Sequence, residues 1–330
     1  MTVFHGGNVW QGEGPDQWLD FSANLNPEGP PEWVRKALET GLARARYYPD
    51  INAAAARRGV ARHLGVPEDC VLVTAGGIEA AALAARLDGE HVVAQPTFQE
   101  YARLCDPCRA VRREKLHEHP ILKGENLWIC NPNNPTGDAL SRGEMLGLLR
   151  RAEAAGARLI VDEAFIEYCP GASVAGFAAD HPALIVLGSL TKALAIPGVR
   201  LGYMVARPDV TQRLSQGLAP WRLNCFADAV AAALPGHADD FERMRQLNAT
   251  RREAFAEDLR ALGIGVHPSD ASFLLCDFGR DMRPAIEALR QRRILVRPCG
   301  MFPGLTHGHV RLCVRTGAEN ARLVEALRDQ

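Results

Sequence analysis

Residues 184–202 have the sequence LIVLGSLTKALAIPGVRLG, in which an apolar run of strand length ends at Ser189 and is followed by Thr191 and Lys192. An ammonium is costly to bury among apolar neighbours unless it is paired, and burial lowers its pKa. A lysine that forms a Schiff base needs this lowered pKa, because only the unprotonated amine attacks an aldehyde. A lysine that snorkels from a strand end produces the same local pattern, so this stretch alone leaves both interpretations open.

Short β-branched runs alternate with Ala/Leu/Arg-rich stretches on either side of this segment. Candidate strands are residues 71–74, 91–94, 110–113, 127–130, 159–162, 184–188 and 202–206. Candidate helices include residues 78–86, 141–155 and 212–217. This alternation predicts an α/β fold with a mostly parallel, seven-stranded sheet, in which ligands collect at the carboxyl ends of the strands.

The pattern changes near residue 236. A long helix is predicted over residues 239–262, with an apolar face formed by Phe241, Met244, Leu247, Phe255 and Leu259. Strand-like pieces at 272–276, 294–297 and 310–314 precede a last helix at 318–328. We therefore expect a large domain over residues 31–236 and a smaller α+β domain over residues 237–330. Residues 1–30 are rich in Gly, Pro and Asn and are expected to form an arm over the surface.

Composition limits the classes of function. The 38 basic and 39 acidic residues give a net charge of −1, which argues against nucleic-acid and membrane-surface partners. Charged residues interrupt every candidate membrane span, and the first ten residues lack the layout of a signal peptide. The nine cysteines are scattered through apolar segments, as expected of reduced thiols in the cytoplasm.

Two further features suit a bound phosphate. Ser189, Thr191 and Arg200 place two hydroxyls and a guanidinium around Lys192. Gly76 and Gly77 follow the strand at 71–74 and precede a helix, so backbone N–H groups are free to point at an anion. Neither G-x-G-x-x-G nor a Walker motif is present, which argues against a nicotinamide dehydrogenase.

Polar residues also follow two other strands. Asp162 ends an apolar strand, where it is either a helix N-cap or the partner of a buried cation such as a protonated pyridine. Residues 131–137, NPNNPTG, form a rigid turn that includes Asn134 and would be an ordinary turn if it stood alone.

Taken in order, these pieces resemble the fold-type I pyridoxal-phosphate enzymes. The resemblance implies that Lys192 binds the coenzyme aldehyde and moves protons, that Asp162 keeps the pyridine nitrogen protonated, and that Asn134 bonds the ring 3-oxygen. It implies that Phe98 stacks on the ring, and that Tyr48 reaches the coenzyme phosphate of a partner subunit, hence a homodimer. The remaining coenzyme-binding positions that it implies are Gly76, Gly77, Ile78, Ser189, Thr191 and Arg200.

Within that family the chain is similar to the L-threonine O-3-phosphate decarboxylases of cobalamin biosynthesis and, as the alternative, to the histidinol-phosphate aminotransferases. The decarboxylases have phenylalanine at the position of Phe165, where the aminotransferases generally have tyrosine. The implied activity is decarboxylation of threonine phosphate to (R)-1-amino-2-propanol phosphate. The implied substrate-binding residues are His5, Gly6, Asn24, Asn134, Arg297 and Arg311.

Two other hypotheses receive less support. Cys105 and Cys108 have the spacing of a zinc-ligand pair, but His117 and His119 complete the set only loosely, and we predict no metal. A scaffolding protein with this fold that binds no coenzyme would not need the residues that face the coenzyme, so their presence argues against this hypothesis.

Overall fold

The computed structural model describes residues 5–10 and 14–329. Its strands are β1 (Leu19–Asp20), β2 (Val71–Thr74), β3 (His91–Gln95), β4 (Arg109–Arg112), β5 (Asn126–Cys130), β6 (Arg158–Asp162), β7 (Leu184–Ser189), β8 (Gly202–Val205), β9 (Gly265–Val266), β10 (Phe273–Asp277), β11 (Ile294–Leu295), β12 (Arg297–Pro298) and β13 (His309–Cys313). Its α-helices are α1 (Glu32–Arg44), α2 (Ala54–Leu64), α3 (Gly77–Ala84), α4 (Gln99–Leu104), α5 (Arg142–Ala155), α6 (Pro208–Ser215), α7 (Cys225–Ala233), α8 (Ala238–Ala261), α9 (Arg283–Gln291) and α10 (Gly317–Arg328).

The large sheet has seven strands, as the sequence predicts, and the structure shows their order to be β2-β8-β7-β6-β5-β3-β4. Strand β8 runs antiparallel to both neighbours, and the other pairs are parallel. Strands β3 and β5 are buried along their whole length, because helices cover both faces of the sheet. The carboxyl ends of six strands therefore meet at one edge, together with the amino end of β8.

The α+β part at the end of the chain contains a four-stranded antiparallel sheet, β12-β13-β10-β9. Its core lies between this sheet and helices α8, α9 and α10. The predicted strand at 294–297 is two short strands, because β11 pairs with β1 while β12 pairs with β13 in the other sheet.

The expected surface arm is wrong for residues 19–26. Strand β1 pairs in parallel with β11, and Phe21 is completely buried in the core of the small domain. The Phe21 N–H donates to the Leu295 carbonyl (2.7 Å), and the Cys313 N–H donates to the Phe21 carbonyl (2.8 Å). The apolar side chains of this segment are covered because its backbone completes the sheets of the small domain.

Two helix predictions need correction. On α8, Leu247 is 38% exposed and Asn248 is buried instead, since Asn248 continues the spacing of three and four residues set by Phe241 and Met244. Helix α6 begins at Pro208, four residues before the predicted start, because proline suits the first turn of a helix. No helix in the described residues is both long and apolar enough to cross a membrane.

The close packing of α2 on α7 yields a test of the fold. A Cβ atom on Gly59 would lie 1.9 Å from the Ala231 carbonyl oxygen. We expect Gly59→Ala to lower the free energy of unfolding by about 1–3 kcal/mol, because overpacking outweighs the gain of about 1 kcal/mol in helix propensity. Urea unfolding measures the change.

Gly147, inside α5, is the matched control. A Cβ atom there would meet only the flexible Arg150 side chain, at 3.9 Å. Gly147→Ala is expected to raise the free energy of unfolding by up to about 1 kcal/mol. Equal stabilisation by both substitutions would contradict the α2–α7 contact.

Candidate active site

A cavity of about 600 Å³ lies at the carboxyl edge of the large sheet, where the small domain covers it. Except for Gly76 and Tyr48, every predicted site residue lines it. The sheet explains this convergence. Strands β5, β6 and β7 deliver Asn134, Asp162 and Lys192 to one edge, and β8 begins just after Arg200 because it runs the opposite way.

Lys192 is half-buried, and its Nζ donates to the Ala23 carbonyl oxygen at 3.0 Å. Burial, together with the positive charge of Arg311, lowers the pKa of Lys192 to about 8. The Ala23 carbonyl belongs to the segment that follows β1, so the inward path of that segment supplies the hydrogen-bond acceptor. A large fraction of this amine is neutral near pH 8, which is the state that a nucleophile requires.

Asp162 is buried at the end of β6, and both of its carboxylate oxygens accept hydrogen bonds. Oδ2 accepts from the Tyr101 hydroxyl at 2.5 Å, and Oδ1 accepts from the Ala164 N–H at 2.9 Å. Burial raises the pKa of Asp162 to about 6, while the two donors oppose that shift. The carboxylate is thus mostly ionised at neutral pH and suited to a cationic partner in the cavity.

A cradle for a phosphate lies between the start of α3 and the end of β7. Gly76 has φ = 84°, and a Cβ atom there would come within 2.5 Å of Arg200 Nη2. The Ser189 and Thr191 hydroxyl oxygens are 2.8 Å apart, and Gly77 packs against Ser189. Bare backbone, two hydroxyls and a guanidinium form a donor set that fits a phosphate.

Arg311, on β13 of the four-stranded sheet, and Asn134, which follows β5 of the large sheet, meet across the cavity. One guanidinium nitrogen of Arg311 donates to the Asn134 side-chain oxygen, and another donates to the Ser22 carbonyl at 2.6 Å. Its guanidinium also lies 5.2 Å from the centre of the Phe273 ring. Burial lowers the pKa of Arg311 to about 10, so the side chain remains a cation at neutral pH.

Arg297 is the second buried arginine of the cavity, 4% exposed, with its guanidinium 5.6 Å from the centre of the Phe302 ring. His5, at the mouth, places Nε2 3.1 Å from the carboxylate of Glu100. Gly6 packs so closely on the Ser22 carbonyl that a Cβ atom would lie 2.0 Å from its oxygen. Asn24 is buried, and its side-chain oxygen has no hydrogen-bond partner in the described residues.

The cavity has a marked charge imbalance. Within the described part of the chain, its lining contains the cations Lys192, Arg200, Arg297 and Arg311 but only two carboxylates, Asp20 and Asp162. Since arginine forks pair with carboxylates and phosphates, the cavity favours ligands with more than one anionic group.

Tyr48 lies outside this cavity. Its side chain is 82% exposed and contacts the Trp221 ring, with the ring centres 4.9 Å apart. Its role toward a partner subunit stays a prediction.

Sequence reasoning missed Tyr101, Glu100 and Ser22, which contact predicted site residues. Tyr101 lies three residues after Phe98 and packs edge-on against it, with ring centres 5.5 Å apart. That i, i+3 spacing at the start of a helix was the available signal. Ser22 and Glu100 could not be found in this way, because long-range folding brings them to the site.

Three of the four residues considered for zinc have other partners, including His117, whose Nε2 lies 3.3 Å from the Glu118 carboxylate. Cys108 contacts the Ala102 carbonyl oxygen at 3.8 Å, and His119 Nε2 lies 3.3 Å from the Glu125 carboxylate. Over residues 5–10 and 14–329, no group of three or more His, Cys, Asp or Glu side chains could hold a metal ion.

A larger cavity, of about 1190 Å³, opens beside β4. It contains none of the predicted site residues. Its buried Arg113 donates hydrogen bonds to the Asp138 carboxylate and to the Cys130 carbonyl oxygen, so its charge already has an anionic partner within the protein. We therefore place the chemistry in the smaller cavity.

Three known proteins are similar to this chain over nearly its whole length. The chain is 35% identical over 361 aligned residues to threonine-phosphate decarboxylase of Salmonella typhimurium, covering 100% of this chain and 98% of that protein. It is 31% identical to histidinol-phosphate aminotransferase of Symbiobacterium thermophilum, covering 94% of this chain and 90% of that protein. The crystal structure of L-threonine-O-3-phosphate decarboxylase from Porphyromonas gingivalis superposes with a TM-score of 0.85 at 26% identity, covering 94% of this chain and 98% of that one.

These likenesses extend over both domains, and the pattern of one family, described as aminotransferase class I and II, matches residues 16–327. The fold is that of the fold-type I pyridoxal-phosphate enzymes. The chain belongs to the aminotransferase class I and II family.

Proposed function

We propose that the chain is a pyridoxal-phosphate-dependent carboxy-lyase that converts L-threonine O-3-phosphate to (R)-1-amino-2-propanol O-2-phosphate, in cobalamin biosynthesis. The observation that carries the proposal is one cavity that contains a lysine of lowered pKa, a buried aspartate and two buried arginines. The relative from Salmonella typhimurium, similar over the whole chain, is a threonine-phosphate decarboxylase.

The coenzyme would be held by residues whose chemistry fits it. The cradle of Gly76, Gly77, Ser189, Thr191 and Arg200 would take its phosphate. Asp162 would face the pyridine nitrogen, Asn134 the ring 3-oxygen and Phe98 the ring face. When bound, pyridoxal phosphate accepts the electron pair of a broken Cα bond into its protonated ring.

The chain's own residues then decide which Cα bond breaks. Arg297 and Arg311 would hold the substrate's carboxylate and phosphate at two fixed points, which sets the rotation about Cα. A rotation that aligns the bond from Cα to the carboxylate carbon with the ring's π system would favour loss of CO2 over loss of the Cα proton. Lys192 Nζ would return a proton to Cα after CO2 has left.

One residue favours the decarboxylase over the aminotransferase. Phe165 lines the cavity, is 4% exposed and packs edge-on against Phe273, with ring centres 5.0 Å apart. It offers no hydroxyl to the coenzyme at this position. The 31% identity to histidinol-phosphate aminotransferase of Symbiobacterium thermophilum keeps transamination of histidinol phosphate as the second candidate.

The site is further proposed to be completed in a homodimer. Exposed apolar side chains gather near Tyr48: Tyr47 is 62% exposed, Ile51 59% and Trp221 47%. Such a patch is typical of a protein–protein interface, and Tyr48 does not reach the cavity of its own chain. The nine cysteines are unpaired, which supports a cytoplasmic location.

Purified protein with coenzyme is expected to release CO2 from O-phospho-L-threonine and to form the amino alcohol phosphate, measured by trapped CO2 and mass spectrometry. L-threonine is the control. Without its phosphate, kcat/KM is expected to fall by about 10³-fold or more, because the substrate then lacks the anionic group that a buried arginine would bind. Transamination of histidinol phosphate with 2-oxoglutarate, without CO2 release from threonine phosphate, would establish the second candidate instead.

Borohydride reduction of the coenzyme-loaded protein is expected to fix the coenzyme on Lys192 and on none of the exposed lysines Lys36, Lys115 and Lys123. The rate of covalent attachment to the apoprotein should rise with pH through about 8 and then level off, because the neutral amine fraction rises as the pH passes that pKa. Lys192→Arg, which keeps the charge, should stay unlabelled. Peptide mapping that finds Lys192 unmodified in loaded protein contradicts its role.

A heterodimer test assigns Tyr48 to the partner's site. A purified heterodimer of a Tyr48→Ala chain and a Lys192→Ala chain contains one complete site if Tyr48 acts across the interface, and should show about half the wild-type activity. A heterodimer of wild type with the doubly substituted chain should then be inactive. The reverse pattern shows that Tyr48 acts within its own chain.

A further inference from the structure

Tyr101 is the side chain that contacts Asp162 directly but has no part in the function proposed above. It lies on α4 and is 1% exposed, and its hydroxyl donates to Asp162 Oδ2 at 2.5 Å. That distance is in the range of hydrogen bonds between a hydroxyl and an ionised carboxylate, which are about twice as strong as neutral ones.

The ring of Tyr101 is fixed from two sides. Phe98 packs edge-on against it, and Trp128 stacks on it with ring centres 5.5 Å apart and an angle of 27°. Trp128 is itself anchored, since its Nε1–H donates to His91 Nδ1 at 2.9 Å. The hydroxyl therefore has little freedom to leave Asp162, and the same packing joins it to Phe98, which is predicted to stack on the coenzyme.

Asp162 depends on such a donor because the groups that donate to it within the described residues are the Tyr101 hydroxyl and the Ala164 N–H, neither of which is a cation. The other titratable groups that face it are Cys130 on β5, Tyr203 on β8 and the adjacent Glu163. Burial raises the pKa of all three, to about 12 for Cys130 and about 7 for Glu163. None of them can offset the cost of burying the Asp162 charge.

We propose that Tyr101 is a positioning residue for Asp162: its hydroxyl orients the carboxylate and holds it ionised, with a lone pair left for the pyridine nitrogen. The part of this proposal that concerns the pyridine nitrogen rests on the proposed function. The Tyr101–Asp162 pair itself is a property of the chain and can be tested without coenzyme.

The first experiment uses the apoprotein. The pKa of Asp162 in the folded chain, about 6, lies above its ordinary value of 3.8, so ionisation lowers stability as the pH rises through this window. Removing the hydroxyl raises the folded pKa further. The factor by which Tyr101→Phe raises the unfolding equilibrium constant in urea should therefore be about ten times larger at pH 8 than at pH 5.

Two controls separate this effect from a packing defect. In the Asp162→Asn background, the loss caused by Tyr101→Phe should no longer depend on pH. Tyr168→Phe, at a buried tyrosine that does not contact Asp162, should give a pH-independent change. A pH-independent loss for Tyr101→Phe in the Asp162 chain would overturn the proposal.

The second experiment measures the dissociation constant of pyridoxal phosphate by absorbance titration. Tyr101→Phe should raise it about tenfold, and by less than about twofold in the Asp162→Asn background. Equal effects in both backgrounds would show that Tyr101 does not act through Asp162. Failure of the proposed function is distinguishable, because the wild-type protein would then bind no coenzyme at Lys192 while the apoprotein result still held.

Discussion

The organising constraint of this molecule is the free-energy cost of placing the half-buried Lys192 amine near the buried Arg311 guanidinium. Burial and the nearby guanidinium both favour the neutral amine, and they lower the pKa of Lys192 to about 8. The Ala23 carbonyl compensates the amine with one hydrogen bond. That carbonyl is in place only because β1 pairs with β11 and Phe21 is buried in the small domain. Reactivity at the site therefore depends on packing in both domains.

Strand β8 runs antiparallel to its neighbours, and this direction places Arg200 at the cavity. If β8 were parallel to its neighbours, its amino end would lie at the far edge of the sheet, and Arg200 with it. Because β8 pairs antiparallel with both β2 and β7, Arg200 arrives opposite the glycine turn that follows β2. The residues predicted to hold the coenzyme phosphate therefore meet where β2, β7 and β8 lie side by side.

Local signals in the sequence predicted the large sheet and the polar residues at its carboxyl edge, whereas the family resemblance supplied other cavity residues such as Phe98, Asn24 and Arg297. Apolar runs mark the buried strands, and polar residues just after them must lie at the carboxyl edge. The inward path of residues 19–26 has no such signal, since it depends on β11, which lies about 275 residues further along the chain. Tyr101 does have a local signal, its spacing of three residues from Phe98, but that spacing does not indicate a contact with Asp162. An aromatic residue on a short helix predicts core packing, and only the folded chain shows its hydroxyl on Asp162.

Arg311 explains how the cavity can bind an anion tightly. Its guanidinium is already desolvated, stacked on Phe273 and held by Asn134 from the large domain and the Ser22 carbonyl. The free energy needed to desolvate and orient this guanidinium is spent when the protein folds. The binding of a carboxylate or phosphate therefore does not have to supply it again. Because Arg311 lies on β13 and donates to Asn134, which follows β5, the same guanidinium that is proposed to bind substrate also links the two sheets.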